Sequence, residues 1–274
     1  MVHSVSLLEQ RFNMPNSTLW TRDELIIALS LYWKTPYNKI SGSTNSEIKD
    51  LAKVIGRTSA SIAYKLMNFT SLDTERQKKG NKGKESAGKL DEIIWNEYHN
   101  DWERLAIDSV TALSKIQQKP IESLLNLDED VKDYTGKEKE RIIKTRVNQY
   151  DFRRRILASY NGKCCISGID LPNLLVASHI IPWSINETER LNPRNGLCLN
   201  YLHDRAFDTG LITNTPEFRV RLSSKIKKSK KSKNWDDLFL QFEDKLIELP
   251  DRFMPDIQFL LWHNHEIFEK GPLK

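Results

Sequence analysis

Between Asn173 and Gly210 the pattern of apolar residues changes twice within 38 residues, and this stretch restricts the local fold more than any other part of the chain. NLLVASHII, residues 173–181, is an apolar run with β-branched residues and predicts a short strand, which Pro182 and Trp183 end. A polar loop follows through Asn195. GLCLN, residues 196–200, predicts a second short strand, and residues 201–208 are long enough for about two helical turns before Gly210 stops them. A β-hairpin with a helix laid across it is the arrangement this order favours. It carries His179 near the end of the first strand, Asn195 in the loop and His203 on the first helical turn, spaced sixteen and eight residues apart.

Those side chains suit one kind of chemistry. Hydrolysing a phosphodiester needs a base to deprotonate water and a divalent cation to take up charge on the phosphorane and the leaving oxygen. His179 is the candidate base and His203 the candidate cation ligand, on opposite sides of one phosphate.

The segment from about Arg146 to Arg221 resembles the HNH endonucleases of the ββα-metal fold. The resemblance is closest to the variant without zinc knuckles found in bacterial restriction-type nucleases, through FRRRILASYNGKCCISG, LLVASHIIPW, NPRNGLCLN and LHDRAFDTGL. It implies that His179 activates water, that Asn195 fixes the loop carrying the base, and that His203 binds a metal ion, magnesium or manganese. It also implies products with 5'-phosphate and 3'-hydroxyl ends. Many members of the wider group carry an acidic residue or histidine just before the base as a further ligand, and here that position is Ser178. Either Asp208 supplies the missing oxygen, or the cation is held by His203, water and the substrate's own phosphate. Where relatives have Cys-x-x-Cys this chain has Cys164 and Ser167, so the knuckle looks lost and apolar packing is expected to replace it. The three cysteines, at 164, 165 and 198, cannot supply a four-thiolate zinc site.

Near the amino terminus, Thr21 to Glu24 and Thr44 to Glu47 both fit the Thr-x-x-Glu capping box and mark two helix starts. The first helix runs to about Lys34 and the second stops at Gly56; a third begins after Thr58 and runs to about Phe69. A short helix, a glycine turn and a helix with a polar face form a helix-turn-helix pattern, and residues 20–69 also resemble a Myb-like or other trihelical DNA-binding domain. On that reading Arg57 and Lys65 touch phosphates, while Ser59, Ser61, Tyr64 and Asn68 approach base edges.

Residues 89–118 predict one long amphipathic helix joining the two halves, with an acidic linker at 119–136 and a basic helix from Gly136 through Arg155. Two short strands are expected around Pro216, then helices packing over the nuclease core; a metal role for His263 and His265 is rejected because neighbouring helical positions diverge. The net charge of +5 is mild, but residues 76–89 and 225–233 are lysine-rich and suit a polyanion backbone. No apolar run is long enough for a membrane span, and an odd thiol count without a signal peptide predicts a cytoplasmic protein.

The expected architecture is therefore α+β: a helical DNA-binding domain at 1–118, a linker at 119–136, and an HNH nuclease domain with carboxy-terminal helices at 137–274. The expected function is metal-dependent cleavage of double-stranded DNA for restriction or defence, with a homodimer or two encounters needed to cut both strands. Two alternatives stay open: a non-catalytic DNA-binding regulator on a degenerate HNH scaffold, and a nuclease for RNA or single strands.

Overall fold

The computed structural model describes residues 19–80, 83, 87–229 and 234–271, and it is α+β, with two small antiparallel sheets among many helices. Helix α1 (Arg22–Lys34) starts at the Thr21–Glu24 capping box, in which the Thr21 hydroxyl accepts from Glu24 N and the Glu24 carboxylate from Thr21 N. Its sequence LIIALSLYW is apolar almost all round, so it sits at the centre of a helical unit rather than on its surface. Helix α2 (Ser46–Ile55) is capped by Asn45 instead of Thr44, and α3 (Ser59–Thr70) by Thr58 as expected. Helix α4 (Thr74–Lys78) is short.

The single helix expected over 89–118 is two, α5 (Lys89–Tyr98) and α6 (Trp102–Gln117). The break has a local cause: Asp101 leaves the helical conformation and accepts from Arg104 N at 3.1 Å, capping α6. The expected linker is not free either. It holds α7 (Ile121–Leu124) and α8 (Asp128–Val131), whose Ile121, Leu125 and buried Val131 cover apolar side chains. Its acids pair with the next helix, Glu122 with Lys139 at 2.7 Å and Asp130 with Arg146 at 3.3 Å.

That next helix, α9 (Gly136–Ser159), is the longest and joins the halves: it packs on α1 and α6 on one side and on the sheet that carries the candidate site on the other. Strands β1 (Leu175–His179) and β2 (Gly196–Asn200) pair antiparallel with His179 opposite Gly196, and α10 (Tyr201–Asp208) crosses them. Strands β3 (Ile212–Asn214) and β4 (Val220–Leu222) form the second sheet, followed by α11 (Ser224–Lys228), α12 (Trp235–Leu238) and α13 (Ile257–Glu266).

The carboxy-terminal segment does more than cover the nuclease core. Phe253 is buried in the amino-terminal core, and Arg252, 4% exposed, donates to the carbonyl of Tyr32 at 2.9 Å. Trp102 packs against both cores. The two halves thus share side chains across their boundary.

Gly196 faces α9 directly. A Cβ there would lie 2.3 Å from Ile156 Cδ1 and 2.9 Å from the Phe152 ring, both side chains packed in the core. Gly196→Ala is expected to destabilise by about 1–3 kcal/mol through overpacking. Urea denaturation of the two proteins checks this, and an unchanged midpoint would mean that α9 yields.

Candidate active site

The last residue of β1 is His179, and its surroundings fix both its orientation and its proton. Phe152 of α9 stacks on the imidazole with ring centroids 4.1 Å apart, and Trp183 meets it edge-on at 5.5 Å. Its Nε2 lies 2.9 Å from the carbonyl oxygen of Arg190. A carbonyl only accepts, so Nε2 carries the hydrogen and the Nδ1 of the neutral ring keeps its lone pair. Burial lowers the pKa of His179 below the usual histidine value, partly offset by that carbonyl, so the ring is neutral at neutral pH.

Asn195, fully buried, brackets the loop that supplies Arg190. Its Oδ1 accepts from Ile181 N at 2.8 Å, and its Nδ2 donates to the carbonyls of Ile181 at 3.1 Å and Glu189 at 3.2 Å. Both ends of the loop are thereby tied to one amide group. Within the loop, Arg190 Nε donates to the Trp183 carbonyl at 2.8 Å.

Successive residues of a strand point to opposite faces, so Ser178 turns away from α9 toward α10. Its buried hydroxyl faces Asp204, close enough to favour the ionised carboxylate but short of a completed hydrogen bond. Asp204 and Asp208 are four residues apart on α10 and share a face. Burial raises Asp204, and burial together with the Asp204 charge raises Asp208 to about 6, although Asp208 still reaches solvent. Arg205 acts against both shifts, yet among the described residues neither carboxylate is in an ion pair.

His203 does not present an open ligand atom. It is 2% exposed, its Nε2 donates to the Leu238 carbonyl at 3.0 Å, and its Nδ1 accepts from Asn200 Nδ2 at 3.1 Å. It also stands five residues from Asp208, about 140° away around the helix. The expected His203 and Asp208 thus lie on different sides of α10, whereas Asp204 and Asp208 share one. An acid pair at helical spacing was visible in LHDRAFDTG, but the nearby histidine drew the assignment.

His203 belongs instead to a polar cluster. Asn200 Nδ2 donates to Ser167 Oγ at 2.9 Å and faces Cys164 Sγ at 3.6 Å, and Cys164 Sγ is 3.7 Å from His203 Nδ1. Burial pushes the Cys164 thiol up, but the neighbouring His203 and Ser167 side chains and nearby backbone more than offset it and bring it down to about 7. Cys164 is buried in the apolar core as expected, and hydrogen bonds also link it and Ser167 to the start of α10. Among the described residues no three His, Cys, Asp or Glu side chains are grouped to hold a metal ion. Buried His263 accordingly lies between Thr213 Oγ1 at 2.8 Å and the Phe207 carbonyl at 3.2 Å.

The helix expected to read DNA is largely closed. Lys65 is buried with its ammonium 2.8 Å from both oxygens of Asp91, and Asn68 is 3% exposed. Arg57 donates to both carboxylate oxygens of Glu24 at 2.8 Å and covers the Trp20 ring. Ser59 and Ser61 are half-buried and only Tyr64 is well exposed. The start of α5 and Trp20 cover Lys65, whereas Ser59, Ser61 and Tyr64 keep exposed surface. Of the lysine-rich stretches, Lys79 donates to the carbonyls of Pro250 and Asp251, while residues 81–82, 84–86 and 230–233 lie outside the described residues.

Residues 164–213 match a family model described as HNH endonuclease. That span holds the hairpin, the loop with Asn195, α10 and the Cys164 cluster, and this part of the chain is similar to HNH endonuclease domains. Nucleases of this kind generally use a divalent metal ion. The match covers 50 of the 274 residues and leaves the helical unit outside it. Among curated proteins no relative matches the chain. No helix among the described residues is long and apolar enough to cross a membrane.

Proposed function

We propose that the chain is a metal-dependent endonuclease of restriction type acting on double-stranded DNA, with His179 as the general base. The observation that carries this reading is the neutral, oriented imidazole at the end of β1, within the span that matches the HNH endonuclease model. Its Nδ1 has no hydrogen-bond partner among the described residues and is free to take a proton from water. The imidazolium that forms keeps its Nε2 hydrogen on the Arg190 carbonyl, whose negative end stabilises the new charge, and Phe152 and Trp183 hold the ring plane. Asn195 keeps that carbonyl in place by fastening the loop.

Asp204 and Asp208 would hold the divalent cation. Two carboxylates with water and substrate phosphate completing the shell is a donor set that suits magnesium or manganese, and a cation there would offset the repulsion that raises Asp208. When bound, the cation supplies charge neutralisation at the phosphate. A polar cleft of about 520 Å³ beside the loop, lined by Trp102 and Trp183 and by basic side chains balanced by Asp101, Glu103 and Glu187, offers an aromatic face to a nucleic-acid strand. The closed face of α3 argues against a regulator that reads DNA through that helix.

The test is cleavage of supercoiled plasmid, single-stranded DNA and RNA with EDTA, Mg²⁺ or Mn²⁺, by wild type and by the double variant Asp204→Asn, Asp208→Asn. Metal-dependent nicking or linearisation is expected from wild type, and none at the same metal concentration from the folded variant. Unchanged cleavage by the variant would return the ligand role to His203. Cutting confined to RNA or single strands would replace the substrate.

A further inference from the structure

The base does not orient itself. Its proton is set by the carbonyl of Arg190, and the next carbonyl along the chain, that of Leu191, accepts from Arg155 Nη1 at 3.4 Å. Arg155 is fully buried on α9, one turn from the Phe152 that stacks on His179. Its other terminal nitrogen donates to the Trp102 carbonyl at 3.4 Å, and its guanidinium lies over the Trp102 ring at 4.8 Å. Asp151, one turn earlier on α9, pairs with Arg155 and also with Lys34 of α1. A buried charge chain therefore runs from the helical unit through α9 to the peptide beside the base.

We infer that Arg155 is a positioning residue for His179: held by Asp151, it anchors the Leu191 carbonyl, and so the residue that follows Arg190, so that the Arg190 carbonyl selects the ring form with hydrogen on Nε2. A buried guanidinium is costly unless it is paired and fully hydrogen-bonded. A packing role alone would be served by an apolar side chain of similar length. The placement of this one, spanning a carbonyl of the helical unit and a carbonyl of the base loop, makes the geometry of the base depend on both halves of the protein. Its catalytic meaning rests on the reading of His179 as the base.

The experiment is nitrogen-15 NMR of the full chain with labelled histidine, the His179 signals being assigned by their loss in His179→Gln. Two-bond correlations in wild type at neutral pH are expected to show a single form with hydrogen on Nε2. R155K keeps a charge for Asp151 but not the reach of the guanidinium, and it should show both ring forms in exchange; R155M should do the same. In both, kcat should fall roughly 10- to 100-fold, as for other groups that orient a reacting histidine through an intermediary, with KM unchanged. A wild-type ring with hydrogen on Nδ1, or one unaltered in the folded variants, overturns the inference. Normal NMR behaviour from a wild type that cleaves nothing would leave the positioning role standing and remove the nuclease reading instead.

Discussion

His179→Ala is expected to lower the rate of phosphodiester cleavage by about 10²- to 10⁴-fold, the range that a positioned general base contributes. Its half-buried ring stacks on Phe152 of the core and meets Trp183 at the core's edge, and circular dichroism checks that the variant is folded. The wild-type pH profile tests the same assignment. The base acts in its neutral form, and burial lowers the folded pKa of His179, so activity limited by this group persists below the usual histidine value and declines only as pH falls further. The measurement is plasmid cleavage under single-turnover conditions across pH, compared with circular dichroism at each point. Full activity in His179→Ala would move the base elsewhere.

The second large effect concerns stability. Asp151 is the shared counter-charge of two cations, the half-buried Lys34 and the fully buried Arg155. Burial and the neighbouring Arg155 and Arg154 charges pull the Lys34 ammonium down to about 7, and burial alone pulls Arg155 down to about 9. Asp151→Asn leaves those cations facing each other without a carboxylate and should cost about 3–5 kcal/mol, the penalty of breaking a buried ion pair from one side. Lys34 can relieve the strain by releasing its proton. The unfolded variant then binds more protons than the folded one between the lowered Lys34 value and its ordinary 10.5, so the variant's stability should rise with pH through that window. Guanidinium denaturation at neutral and alkaline pH measures both quantities. A loss below 1 kcal/mol with no pH dependence would show that these charges reach solvent on their own.

The parts of the site that were legible in the chain are those set by near neighbours. The hairpin and its helix follow from NLLVASHII, GLCLN and the glycine after Thr209. The observed β2 and α10 have the expected bounds, while β1 is confined to Leu175–His179 because residues 172–174 form a 3-10 turn. Capping at Thr21 and Thr58 was equally local. The break at Asp101 was legible in principle, since Asn100-Asp101 is a turn signal, but the apolar spacing on either side masked it.

What could not be read was which polar side chains remain free. His203 looked like a ligand until the Leu238 carbonyl, 35 residues away, closed on its Nε2. Lys65 looked like a phosphate contact until Asp91, 26 residues away, took its charge. The same holds for the proposed anchor of the base, in which Lys34, Asp151, Arg155 and Leu191 lie far apart along the chain and meet only when α1, α9 and the loop pack together. The order of strand, loop, strand and helix, with a histidine at the first strand's end, is written in residue spacing because φ/ψ preference and apolar period act over a few residues. The protonation, accessibility and pairing of each polar group were decided by tertiary structure, because desolvation and hydrogen bonding depend on what is brought alongside, whatever its distance in sequence.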